Sequence, residues 1–232
     1  MNLMMNIGKS GAKSFQNQVN AGGHNIANSS TTAFKKTYND LKDLQYYETN
    51  GLLMDNGMYD QGVGVQSDDS YEDFKQGSLI QSGTNTHYAV NGEGYFGVYD
   101  RTTNQTLLTR DGSFARNSLG ELVDINGNQV MMKTMRDEEG NEYQIPALYK
   151  PREMIHLNKV NESYYEIDAN NMISNINESQ EFGEVENGYL ESSNVDLGEE
   201  MTNLMIAQRA YSMNMKVVQT ADETSQLINN LR

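Results

Sequence analysis

The sequence predicts an α+β fold, in which long N- and C-terminal helices form a coiled-coil-like helical domain with an antiparallel all-β domain inserted between them. Two observations carry this. Near both ends of the 232-residue chain apolar residues recur at alternating steps of three and four, whereas the middle alternates apolar and polar residues in short runs bounded by Asn-Gly and Asp-Gly pairs. Four segments follow: the first helix at 1–40, an extended connection at 41–70, the β domain at 71–185, and at 186–232 a C-terminal helix that pairs with the first.

In the first helix the apolar stripe runs Met5, Gly8, Ala12, Phe15, Val19, Gly22 and Ile26. Its mean step of about 3.5 residues is that of a coiled-coil seam. Glycine inside a helix costs about 0.5–1 kcal/mol relative to alanine. A helix with Gly8 and Gly22 in its seam therefore needs a partner, and close helix approach is the compensating use. Residues 46–61 show no clean period and are too apolar for a free linker, so they are expected to order against something else.

The β segment shows alternation in Thr86-His87-Tyr88-Ala89-Val90, Tyr95-Phe96-Gly97-Val98-Tyr99 and Glu121-Leu122-Val123-Asp124-Ile125. Asn91-Gly92, Asp111-Gly112, Asn126-Gly127 and Glu139-Gly140-Asn141 supply the turns. In the last helix Ser193 or Asn194 is the expected cap, and Asp196, Glu199 and Glu200 suit the positive end of the macrodipole. An apolar stripe follows through Leu197, Met201, Leu204, Ala207 and Tyr211, and continues as Val217, Ala221, Thr224, Ile228 and Leu231. With no Pro and one Gly beyond Asp196, a single helix should reach the end. Phe15, Val19, Leu204, Val218 and Ile228, with Ile26 and Tyr211, are the expected helix-to-helix seam, within a subunit or across subunits.

Composition excludes several chemistries. Absence of Cys removes disulfides, thiolate metal sites and cysteine nucleophiles. Seventeen basic against 32 acidic residues give a net charge of −15, which argues against a nucleic-acid partner. The charge is also polarised: residues 1–39 hold Lys9, Lys13, Lys35 and Lys36 and no acid, while residues 160–208 hold eleven acids and no base. The two ends are expected to meet, and Arg209 is a candidate partner for an acid of the 191–200 block. No apolar run spans a bilayer, and the N-terminus lacks the pattern of a cleaved signal.

Catalytic motifs fare poorly. Gly92-Glu93-Gly94-Tyr95-Phe96-Gly97 fits a dinucleotide loop by spacing, but a strand pattern follows where that loop requires a helix. Asp124-Ile125-Asn126-Gly127-Asn128 begins like a calcium loop yet lacks its glycine and glutamate, so a hairpin turn is expected. His24, His87 and His156 have no nucleophile or metal spacing around them. Asp68-Asp69 and Asp137-Glu138-Glu139 read as solvated turns rather than a glycosidase pair. No catalytic, cofactor or metal residue is expected, and the chain reads as a non-enzyme. Met201, Met205, Met213 and Met215 form either core or an adaptable binding surface.

Two segments are more specific. His24-Asn25-Ile26-Ala27-Asn28-Ser29-Ser30-Thr31-Thr32-Ala33-Phe34-Lys35 resembles the N-terminal signature of the bacterial flagellar rod and hook axial proteins, with Ala33 where that family usually has Gly. Tyr189-Leu190-Glu191-Ser192-Ser193-Asn194-Val195-Asp196-Leu197, through Glu200-Met201 to Ala207-Gln208-Arg209-Ala210-Tyr211, resembles its C-terminal counterpart. In the middle, Ala89-Val90-Asn91-Gly92-Glu93-Gly94-Tyr95-Phe96 and Leu108-Thr109-Arg110-Asp111-Gly112-Ser113-Phe114 resemble the β domain of the basal-body rod proteins and the hook protein. The length favours a rod protein over a hook or hook-adaptor subunit, and the lack of repeats disfavours a secreted coiled-coil adhesin.

The resemblance implies a structural subunit of the basal-body rod that is exported through the flagellar type III apparatus without a cleaved signal. It implies head-to-tail polymerisation into a hollow helical drive shaft, with terminal helices inside and the β domain outside. Its partners would be copies of itself, other rod and hook proteins and the export apparatus, without cofactor or membrane insertion. Asn25, Asn28 and Thr32 would end the first helix and turn the chain outward.

Overall fold

The computed structural model describes residues 2–44, 47–49, 59–136, 142–152, 158–161, 163–167, 172–174 and 182–231. The chain falls into two units, and it passes between them four times. A helical unit comprises Met1–Ser29, Lys36–Phe74 and Val195–Arg232, and a β unit comprises Ser30–Lys35 and Lys75–Asn194.

The helical unit is built on α1 (Asn2–Ala27) and α2 (Leu197–Asn230), which pack against each other. The periodicity carries the first helix to residue 40, but α1 ends at Ala27. Asn28 there turns its backbone N–H and its side-chain amide onto the His24 carbonyl, both at 3.1 Å, and Ser29 Oγ donates to the Ile26 carbonyl at 2.9 Å. These local bonds take the place of a further helical turn. Strand β1 (Thr37–Asp43) follows. Beyond it lie β2 (Tyr47–Thr49), β3 (Tyr59–Gln61) and β4 (Val65–Glu72); β1 pairs antiparallel with β4, and β2 with β3. Much of the 46–61 segment, residues 46 and 50–58, lies outside the described residues.

Asp196, rather than Ser193 or Asn194, caps α2. Its carboxylate accepts from the Gly198 and Glu199 N–H groups at 2.8 and 3.1 Å. Asn194 is engaged elsewhere, its backbone N–H on the Phe34 carbonyl and its side chain on the Lys75 carbonyl.

The β unit holds the remaining strands: β5 (Leu79–Gln81), β6 (Tyr88–Asn91), β7 (Tyr95–Asp100), β8 (Gln105–Thr109), β9 (Ala115–Arg116), β10 (Leu122–Val123), β11 (Gln129–Val130), β12 (Met132–Arg136), β13 (Glu142–Pro146), β14 (Leu148–Pro151), β15 (Asn158–Asn161), β16 (Tyr164–Glu166), β17 (Met172–Ser174), β18 (Glu184–Asn187) and β19 (Tyr189–Glu191). One sheet runs β15-β16-β8-β7-β11-β10-β9, with β14 joined to β7 and β17. Three ribbons accompany it, β12-β13, β18-β6 and β19-β5. All pairings are antiparallel.

Alternation puts Phe96, Val98 and Leu107 on one face, where they close a core with Tyr88, Val90, Phe114, Leu122, Val130, Leu148 and Tyr164. Phe96 meets Phe114 edge to face, 5.3 Å between centroids. Gly92-Glu93-Gly94 leads into strand β7, without the helix that phosphate binding would need. Asp124 closes the β10–β11 turn: its carboxylate accepts from the Asn126 and Asn128 N–H groups, the Asn128 side chain and the buried Tyr164 hydroxyl. Of the expected turns, Glu139-Gly140-Asn141 lies outside the described residues, as do Asp137-Glu138-Glu139 and His156.

Ala33 is buried with φ at +57°, a left-handed conformation that suits glycine. Its N–H donates to the Glu191 carbonyl at 2.9 Å, which holds it there. A β-branched side chain would crowd the backbone at this φ. Ala33→Val should destabilise the protein by at least about 2 kcal/mol, whereas Ala33→Gly should cost less than about 1 kcal/mol, measured by urea unfolding.

Candidate assembly interface

The helix pair comes together through small residues. A Cβ placed on Gly8 would lie 2.8 Å from Val218 Cγ2, and one on Gly11 2.4 Å from Asn214 Oδ1, so a side chain at either position would have to displace its neighbour on α2. A Cβ on Gly22 would stand 3.7 Å from both Glu200 Oε2 and Leu204 Cδ1, an ordinary contact. Ala12, Ala207 and Ala221 are buried along the same helices. Phe15, Val19, Ile26, Leu204, Ala210, Tyr211 and Val218 are half-buried.

The rest of α2 is unusually bare for an apolar surface. Met201, Met205, Ile206 and Met213 are each more than half exposed, as are Leu227 and Leu231; Ile228 is 48% exposed. At 100° per residue Met205 falls opposite Ala207 and Ala221, and Ile206 and Met213 fall on the flank between. Gln208 and Arg209 are exposed as well. Arg209 meets no acid among the described residues; of the acids expected for it, Glu191, Glu199 and Glu200 pair with other cations and Asp196 caps α2.

Those cations lie where the chain leaves α1. Asn25, 1% exposed, accepts from the Thr37 N–H at 2.9 Å and donates to the Thr37 carbonyl at 2.7 Å and to Glu200 Oε2 at 3.2 Å. It thus ties α1, the start of β1 and α2 together. Lys36 Nζ stands 2.8 Å from Glu200 Oε1 and 3.3 Å from Glu199 Oε1. The approach to Glu200 Oε1 is ionic rather than a well-aligned hydrogen bond, so that buried oxygen depends on the charge of Lys36. Burial alone would lower the Lys36 pKa, but the two glutamates outweigh it and hold the ammonium above its ordinary value.

The neighbouring residues engage the β unit. Thr32 Oγ1 donates to Asp111 Oδ1 at 3.1 Å. Phe34 is fully buried. Lys35, 3% exposed, donates to Glu191 Oε1 at 2.5 Å and to the Lys75 carbonyl at 2.8 Å. Arg110 reaches Glu191 Oε2 at 3.4 Å, and its guanidinium lies over the Tyr95 ring, 5.0 Å from the centroid. The Gly77 N–H completes the carboxylate at 3.0 Å. Of the remaining predicted positions, Ala27 is exposed, Asn28 caps α1, and Ser193, Asn194 and Val195 are half-buried.

Sequence reading had Lys36 only as one of four bases in the N-terminal stretch, and it missed Gly77, which no motif marks. Arg110 and Glu191 sit in segments that carry the resemblance, yet nothing in their spacing announces a pair 81 residues apart. For chemistry, Ser82 Oγ lies 2.6 Å from His87 Nδ1, but no carboxylate orients that imidazole among the described residues. No cluster of three metal-ligating side chains occurs among the described residues, and no described helix is long and apolar enough to cross a membrane.

Residues 186–231 match the family model described as flagellar basal body rod FlgEFG protein C-terminal. Over 96% of its length the chain is 28% identical to the flagellar basal-body rod protein FlgG of Agrobacterium fabrum, covering 97% of that protein. Over 97% it is 30% identical to FlgG of Buchnera aphidicola subsp. Baizongia pistaciae, covering 98%. The flagellar hook protein FlgE of Rhizobium meliloti is 32% identical over 55% of the chain and 29% of its own length.

The raised Lys36 pKa has a signed consequence. Its contribution is fully present below about pH 10.5, the unfolded value, and is lost as pH rises through the higher folded value. Thermal melting of the helical unit should therefore lose stability above that pH, and Lys36→Met should lower the plateau and reduce the alkaline fall.

Proposed function

The chain belongs to the family of flagellar basal-body rod proteins, and on that footing we propose that it polymerises head to tail with copies of itself into a hollow helical drive shaft that transmits torque. It is a structural subunit of the rod, and its place is the flagellar basal body. Export through the flagellar type III apparatus, and contact with other rod and hook proteins, belong to the same proposal. So does the absence of catalysis, cofactor and nucleic-acid partner.

One observation supports polymerisation most directly. The outer face of α2 exposes Met201, Met205, Ile206 and Met213 in a helix whose other side is satisfied by α1. Contiguous exposed apolar surface of this kind marks an interaction site. The methionine thioethers adapt to neighbours that are not identically placed. The motif positions Gln208, Arg209, Ala210 and Tyr211 lie in the same stretch, and the seam of Phe15, Val19, Leu204, Val218 and Ile228 is proposed to act within and between copies. A hook role is less well supported, because the hook relative is matched over only 29% of its length.

Ile206→Asp together with Met213→Asp should leave the secondary structure and melting temperature of the purified chain nearly unchanged, since both side chains face solvent. The same pair should abolish oligomers in sedimentation velocity and block swimming in a complemented strain. Normal filaments from this variant would overturn the face assignment.

A further inference from the structure

We propose that the methionine ridge of α2 is an oxidation-sensitive site: a peroxide converts the exposed thioethers of Met201, Met205 and Met213 to sulfoxides, and a chain so modified joins its copies only after they are reduced again. Met201, Met205, Arg209 and Met213 follow one another at steps of four, so they form a single ridge on the helix surface. The three thioethers belong to side chains that are each more than half exposed. With no Cys in the chain, methionine is its only sulfur. In the β unit that sulfur is sheltered: Met131 accepts the Tyr149 hydroxyl at 3.3 Å, Met132 packs against the core, and Met135 and Met172 are half-buried. Met4 is the one other methionine more than half exposed among the described residues, and it stands on α1.

The reaction needs no catalytic residue. A thioether lone pair attacks one peroxide oxygen, and the O–O bond breaks as the S–O bond forms. The departing hydroxide takes the proton from the transferred oxygen and leaves as water; sulfur loses two electrons and the peroxide gains them. The product is polar where the thioether was apolar. On a solvent-facing ridge this costs the free chain little. In a contact between copies each sulfoxide oxygen must find a donor or be buried without one, which opposes association. Arg209 stands one turn from Met205 and one turn from Met213, so its guanidinium is placed to donate to either sulfoxide and to hold the ridge in its hydrated form. Once copies have joined, the same sulfurs are covered, so the oxidant stops addition of new chains without attacking those already in place. This deepens the reading of the α2 face as the contact between copies, and it rests on that reading.

The test treats the full-length chain with dilute hydrogen peroxide, following each methionine by peptide mass spectrometry and association by sedimentation velocity. Met201, Met205 and Met213 should oxidise at least about fivefold faster than Met131 and Met132, with the melting temperature nearly unchanged. The association constant should then fall by at least about tenfold, and methionine sulfoxide reductases should restore it. Met201→Leu/Met205→Leu/Met213→Leu, which keeps the apolar volume, should associate equally before and after peroxide. Equal oxidation rates on the ridge and in the β unit would overturn the proposal, as would association untouched by ridge oxidation or a leucine variant as peroxide-sensitive as the unaltered chain. Failure of the face itself is distinguishable, since Ile206→Asp together with Met213→Asp would then associate normally as well.

Discussion

Two adjacent lysines are held by carboxylates far along the chain: Lys35 by Glu191, 156 residues away, and Lys36 by Glu199 and Glu200, the former 163 residues away. Much else follows from this return of the chain to its point of departure. It places β19 beside β5 and seats Asn25 against Glu200, so the exit from α1 and the entry to α2 are fixed by common bonds. Lys35 belongs to the β unit and Lys36 to the helical unit. Unlike surface pairs, which contribute about 0–1 kcal/mol, the Lys35 cluster is fully desolvated, and loss of one member leaves a buried charge.

The helices obey a different constraint, that of distance. Gly8 and Gly11 let α1 approach α2 until Val218 and Asn214 fill the space where side chains would stand. The loss in helix propensity, about 0.5–1 kcal/mol per glycine, is offset only while the partner helix is present. Such a pair has little stability to spare, and α2 still leaves four large apolar side chains in water between Met201 and Met213. Helices that need more burial than one chain provides are suited to obtaining it from neighbours.

How much of this was legible follows from sequence separation. The α+β class was readable because helix and strand periods are local properties, and α2 was readable because nothing interrupts it. The end of α1 was not legible in the periodicity, since the polar run after Ala27 carries no Pro or Gly; the resemblance alone pointed to Asn28, which with Ser29 makes the stop by bonding backward. Capping by Asp196 was misassigned to its neighbours because Ser, Asn and Asp are all good caps, and only the tertiary bonds of Asn194 remove it from competition. The meeting of a basic N-terminus with an acidic C-terminal approach was visible as a polarity. Which residues met was not: Lys35 and Lys36 pair, Lys9 and Lys13 remain on the exposed side of α1, and Arg209 stays in solvent. Ala33 in a left-handed conformation accounts physically for the glycine usual there in the family.

The distribution of the net charge now has a physical reading. The helices Asn2–Ala27 and Leu197–Asn230 together hold four acidic and four basic residues, so the entire −15 lies outside them. Two of the four acids, Glu199 and Glu200, share the single positive charge of Lys36, so the helix pair with this lysine is close to neutral and rich in apolar side chains. Surfaces of that composition can approach one another, or acidic neighbours, without the repulsion that a uniformly spread charge would impose. The acidity of the remainder acts in the opposite direction and opposes unspecific association of the β units. On the proposed assembly through the helices, neutrality is confined to the part that joins.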